Sequence, residues 1–165
     1  MPRWVSMFWS EVLRPMLRRP PRRQVAALCW RDGEAGPEVL LISSRGTGRW
    51  ILPKGWPMRG KGLAAAAQQE AWEEAGVIFE TGAPVSAGVF ASRKVSDSGL
   101  AEPAEVEVFA ARVRALADEY PELGQRTRRW ASPAEAAGLV EEEGLARILR
   151  AFGAAQGDGR PGPAR

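Results

Sequence analysis

The chain has 165 residues, 45% of them hydrophobic, with 23 Lys and Arg against 20 Asp and Glu, enough for one domain with a real core. It has one cysteine and no histidine, which excludes an internal disulfide framework, Ser-His and Cys-His mechanisms, and imidazole ligands or bases. No apolar run approaches the roughly 18 residues a spanning helix needs, and acid–base work near neutrality falls to Glu, Asp, Lys, Tyr or a water acidified by a cation.

In residues 1–22, Trp4, Val5, Phe8, Trp9, Val12, Leu13, Met16 and Leu17 recur at helical spacing among arginines, with prolines closing the segment. This basic amphipathic extension fits a helix packed on its own domain, on a dimer mate, or on a membrane surface; a cleaved signal fits less well because Ser, Glu and Arg interrupt the apolar run. Residues 24–30 and 38–44 read as apolar strands joined by a turn over 32–37, and Cys29 falls in the first as a buried, inert thiol. Residues 50–52 form a short strand ahead of the segment PKGWPMRGKGLAAAAQQEAWEEAGV, Pro53 to Val77.

That segment holds a Gly-rich turn and a helix expected over about 62–75, ending at Gly76 as C-cap. Glu70, Glu73 and Glu74 stand at i, i+3 and i+4, on one face. Like charges at that spacing repel, and a hard divalent ion such as Mg²⁺ or Mn²⁺, which prefers oxygen ligands, relieves the repulsion. Strands are expected over 83–94 and 105–116 around a polar loop, then a short strand over 125–131. Ser132-Pro133 starts a helix as N-cap and N1, a last helix runs over about 142–152, and residues 153–165 read as a disordered tail. Strands among segregated helices imply a mixed α/β sheet covered by helices.

The Pro53–Val77 segment resembles the Nudix box, G-x5-E-x7-R-E-U-x-E-E-x-G-U, with Gly55, Glu70, Glu73, Glu74, Gly76 and Val77 in register. Two positions depart: Lys61 stands at the first glutamate and Gln69 at the arginine, a pair that in the family supports the catalytic loop. The resemblance covers about residues 23–152 and implies an α/β/α sandwich that hydrolyses phosphoanhydride bonds with Mg²⁺ or Mn²⁺. It implies Glu70, Glu74 and the Lys54 carbonyl as metal ligands and Glu73 as ligand or general base. Glu105 and Glu107, with Glu102 as a weaker alternative, are candidates for a further acidic ligand. Alternation points Glu105 and Glu107 the same way.

Cations bracket the acidic helix, and arginine's fork of donors suits phosphate oxygens. LLISSRGTGRWILPKG resembles the diphosphoinositol-polyphosphate and dinucleoside-polyphosphate branch of the family. That likeness implies phosphate binding by Arg22, Arg23, Ser43, Ser44, Arg45, Arg126 and Arg128, and charge adds Arg49 and Lys61. Trp50 and Trp56 flank the turn and serve packing or base stacking. The expected partner is a small phosphoanhydride substrate rather than a nucleic acid, and the expected location cytoplasmic. The rival reading, motivated by Lys61 and Gln69, is a non-catalytic nucleotide- or polyphosphate-binding module.

Overall fold

A computed structural model describes residues 21–95 and 99–158. The expected N-terminal amphipathic segment, with its membrane or dimer contact, lies outside the described residues, as does the chain from 159 onward.

The strands are β1 (Arg22–Gly33), β2 (Gly36–Ser43), β3 (Trp50–Ile51), β4 (Lys54–Gly55), β5 (Val77–Phe79), β6 (Val85–Val95), β7 (Ala101–Leu116) and β8 (Arg128–Ala131). The helices among the described residues are α1 (Leu63–Ala75), α2 (Pro133–Leu139) and α3 (Glu143–Asp158). Among the described residues the eight strands form one mixed sheet of order β3-β2-β1-β7-β5, with β4 also on β1, β6 on β7 and β8 on β2. β1 and β7 run parallel from Arg22↔Ala104 to Trp30↔Arg112; the other pairings are antiparallel.

β1 and β2 read as continuous apolar runs because both faces of the sheet are covered. Val25, Ala27 and Cys29 face α1, where Ala66, Ala67, Ala71 and Ala75 are fully buried. Ala26, Leu28, Val39 and Leu41 face α2 and α3 through Ala136, Leu145 and Leu149. This is the expected α/β/α sandwich. Cys29 is fully buried, and burial pushes its thiol pKa far up, so it is inert at neutral pH. None of the described helices is long and apolar enough to cross a membrane.

Several boundaries differ from expectation. The β1–β2 ladder runs through Asp32↔Pro37 and Gly33↔Gly36 into the expected turn, leaving a two-residue hairpin closed by Gly36 at φ 137°. β7 begins at Ala101, inside the expected loop. Pro103 is tolerated there because β7 is flanked only by β6 before its pairing with β1 starts at Ala104. β4 and β5, of two and three residues, are too short to show a period. α3 continues past Phe152 to Asp158, so Gly153–Asp158 is helical rather than tail. Its small residues allow this: Gly153 rests on Pro133, whose side chain leaves no room for a Cβ.

Candidate active site

α1 starts from Gly62 without a side-chain cap and ends at Gly76 in the left-handed region, φ 66°, whose N–H reaches the Ala71 and Trp72 carbonyls. Its alanine face lets it lie close on β1. β4 pairs with β1 at Val25↔Gly55 and Ala26↔Lys54, which sets the Lys54–Gly55 backbone against the acidic face of α1. A Cβ on Gly55 would stand 2.1 Å from the Glu70 carboxyl carbon. The box glycine is therefore the space the Glu70 carboxylate occupies.

Glu74 is buried, with only 7% of its surface exposed. One of its oxygens accepts from the Lys54 N–H at 3.1 Å and the other from Arg126 Nη2 at 2.9 Å. Arg126 is equally buried and also donates to the Ser43 carbonyl at 3.2 Å, while its Nε has no partner. A fourth carboxylate joins from the loop after β7. Glu122 lies 3.8 Å from Arg126 and 3.7 Å from Arg45, with Oε1 buried and making no hydrogen bond. Its backbone N–H donates to the Glu73 carbonyl at 3.0 Å, which ties the loop to α1.

The electrostatics follow from this crowding. Burial, then repulsion from Glu73 and Glu122, raises the Glu70 pKa against the pull of Arg126. Burial pushes Glu74 up to about 7; Arg126 and the Lys54 N–H oppose the rise, and Glu70 and Glu122 add to it. The site thus holds more negative charge than its one buried arginine neutralises. Oxygen donors in surplus suit a hard divalent cation. Among the described residues no three acidic, thiol or imidazole groups already converge at ligating distance, since Glu74 is held by Arg126 and Lys54, and Glu73 by Gln69 at 2.7 Å.

The sequence candidates fall in distinct places. Glu70, Glu73, Glu74 and Lys54 share the site with Arg126, Arg45 and Ser43. Ser43 Oγ accepts from the Thr127 N–H at 2.8 Å, and Ser44 Oγ pairs with Thr47 at 2.6 Å, so both hydroxyls hold loops. Arg45 bonds Gln125 at 3.1 Å. Arg128 donates to the carbonyls of Ala75 at 3.0 Å and Ala117 at 3.2 Å, closing the end of α1. Arg22 lies over the Trp56 ring at 4.4 Å and near Glu102, and Arg23 lies 3.8 Å from Glu107. Arg49 bonds Glu141 at 3.1 Å, in a cleft of about 630 Å³ shared with Arg93, Glu105 and Glu142. Lys61 bonds the Gln69 carboxamide oxygen. Trp50 lies under Arg129 and packs on the core. Glu105 and Glu107 lie on β7, Glu107 with a buried Oε2 that makes no hydrogen bond, and the loop carboxylate whose repulsion helps to raise Glu70 and Glu74 is Glu122. It was missed because it sits in an aperiodic loop; its one signal was its place just ahead of the Arg126 cluster.

The NUDIX domain model matches residues 20–152. The chain belongs to the Nudix family. It is 33% identical over 120 residues to "Nudix hydrolase 12, mitochondrial" of Arabidopsis thaliana, covering 70% of this chain. The chain spans 58% of that relative's length. Among solved structures, a C. elegans Ap4A hydrolase superposes with TM-score 0.63 at 19% identity, covering 82% of this chain and 98% of that one. The NUDIX domain of Shewanella oneidensis NrtR, complexed with ADP ribose, gives 0.61 at 15%, covering 94% and 99%.

Proposed function

We propose that this protein is a divalent-metal-dependent pyrophosphohydrolase that cleaves a phosphoanhydride bond in a polyphosphorylated substrate, with dinucleoside polyphosphates or inositol pyrophosphates favoured. The observation that carries this is the Glu70 carboxylate seated at Gly55, with Glu74 on the Lys54 N–H and Arg126, Glu122 beside Arg126 and Arg45, and the charges of Glu73 and Glu122 acting on Glu70. Family membership supports it, and among the fold relatives one is an Ap4A hydrolase and another holds ADP ribose.

The donor set fits Mg²⁺ or Mn²⁺: Glu70, Glu74, the Lys54 carbonyl and Glu122, whose buried Oε1 makes no hydrogen bond, would hold it, and Glu73 borders it. Such an ion, when bound, supplies charge neutralisation for the phosphate oxygens and acidifies a water. The protein's own groups do the rest. Arg126 is fixed between Glu74 and the Ser43 carbonyl and steadies the carboxylates from within, while the exposed Arg45, held by Gln125, presents its guanidinium to phosphate. Glu73 is half-buried at the edge of α1, held by Gln69, and takes the proton of the attacking water as general base. Burial of Glu74 and Arg126 keeps bulk water from screening the site.

The test is phosphate or nucleotide release from diadenosine polyphosphates, inositol pyrophosphates, nucleoside triphosphates and ADP-ribose with Mg²⁺. Turnover is expected on at least one, with Glu73→Gln lowering kcat by about three orders of magnitude and leaving the fold intact. One observation favours a second reading: both Glu74 oxygens are already bonded within the protein. Tight binding of a panel member without turnover by wild type would establish the binding module instead.

A further inference from the structure

We propose that Lys61 and Gln69 act together as one positioning unit that sets the carboxylate of Glu73, in place of the Glu–Arg pair of the box pattern; this rests on Glu73 being the catalytic carboxylate. Lys61 Nζ donates to the Gln69 carboxamide oxygen, and Gln69 Nε2 donates to Glu73 Oε1 at 2.7 Å. The three groups form a chain from the loop onto one face of α1, since Gln69 and Glu73 are one turn apart. The Lys61 N–H is in turn held by the Met58 carbonyl at 3.2 Å, so the chain starts from an anchored backbone.

An ammonium can only donate and a carboxylate can only accept. The carboxamide between them therefore has one productive orientation, oxygen to Lys61 and NH₂ to Glu73. The opposite flip would set its oxygen against the carboxylate and its NH₂ against the ammonium. Lys61 also polarises the amide, which strengthens the N–H···O⁻ bond to a carboxylate that Lys61 never touches. Glu73 needs such a hold because Glu70, one turn earlier on the same face, repels it. In the box pattern an arginine at position 69, itself held by a glutamate at 61, would supply a donor to the same carboxylate. Lys61 and Gln69 reach that end with the positive charge moved one residue outward. The two departures from the pattern are thus coupled rather than independent losses.

The experiment uses the full chain with diadenosine tetraphosphate and Mg²⁺, and follows the Gln69 side-chain NH₂ signals by ¹⁵N NMR in the metal-free protein. Lys61→Met and Gln69→Leu are each expected to lower kcat about tenfold with KM within about twofold. The double variant should be no worse than either single one, because both break the same chain. The exchange Lys61→Glu with Gln69→Arg should recover most of kcat, and Lys61→Met should shift the Gln69 NH₂ signals. The idea is overturned if the two losses multiply, if kcat stays unchanged in both single variants while Glu73→Gln abolishes turnover, or if the NH₂ signals ignore Lys61. Normal turnover by Glu73→Gln would instead remove the catalytic reading of Glu73, and this proposal with it, even where the NMR shift shows the hydrogen-bond chain intact.

Discussion

Gly55 and Glu70 show how one residue's absence of a side chain becomes another's position. The backbone at Gly55 is not in the left-handed region, so alanine is conformationally tolerable there. The three atoms nearest its Cβ would all belong to the far end of a flexible side chain, the Glu70 carboxyl group. Gly55→Ala should therefore displace that carboxylate while leaving the sheet in place. The expected outcome is a loss of about tenfold to a hundredfold in kcat and in metal affinity, with Tm within about 4 °C of wild type. Calorimetric titration with Mn²⁺ beside a thermal melt reads both. A large fall in Tm with normal metal binding would show that the glycine serves the fold instead. The same reasoning explains why the glycine was legible in the sequence as part of a pattern while its purpose was not: the clash is with a residue fifteen positions away, visible only once β4 lies against α1.

At the level of elements, the end of α1 is where the site is assembled. Gly76 turns the chain, the Ala117 N–H donates to the Gly76 carbonyl at 2.7 Å, and the Tyr120 ring covers the glycine. Arg128 reaches across from β8 to the Ala75 and Ala117 carbonyls and stacks over Tyr120 at 5.1 Å. This clamp delivers the loop that carries Glu122. Arg128→Ala should leave two partly buried carbonyls without a donor, costing about 1–3 kcal/mol of stability, and because a single nitrogen, Nη1, serves both carbonyls, Arg128→Lys should recover part of the loss. A direct phosphate-binding role predicts the reverse, a raised KM with unchanged denaturation midpoint, so urea melts and kinetics together assign the residue. Two residues apart in the strand expected over 125–131, Arg126 and Arg128 would share one face. The structure turns both toward α1, yet Arg126 precedes β8 and reaches Glu74 while Arg128 holds backbone. The long apolar strands, the box helix and the Ser132-capped α2 were legible because periodicity and capping are local signals. β4, β5 and Glu122 were not, because partners distant in sequence place them.

For the whole molecule, the consequence of burying Glu74 is a link between the site and folding. In the folded chain its pKa is pushed up to about 7, against about 4.3 for an unfolded glutamate. Between those values the folded state binds more protons than the unfolded state, so the contribution of Glu74 is fully present below about pH 4 and is lost as pH rises through about 7. Glu70, raised for the same first reason, acts in the same direction. The metal-free protein should thus lose stability from pH 5 to pH 8. A divalent ion binds the deprotonated carboxylates of the folded state, so its stabilisation should grow over the same interval. Thermal melts at pH 5, 6, 7 and 8, in EDTA and in Mg²⁺, measure both slopes. Glu74→Gln should flatten the metal-free slope and shrink the Mg²⁺ gain at pH 8. If that variant keeps the wild-type slope in EDTA, the pH response arises elsewhere in the sandwich, and the Arg126–Glu74 pair is ionised throughout the range.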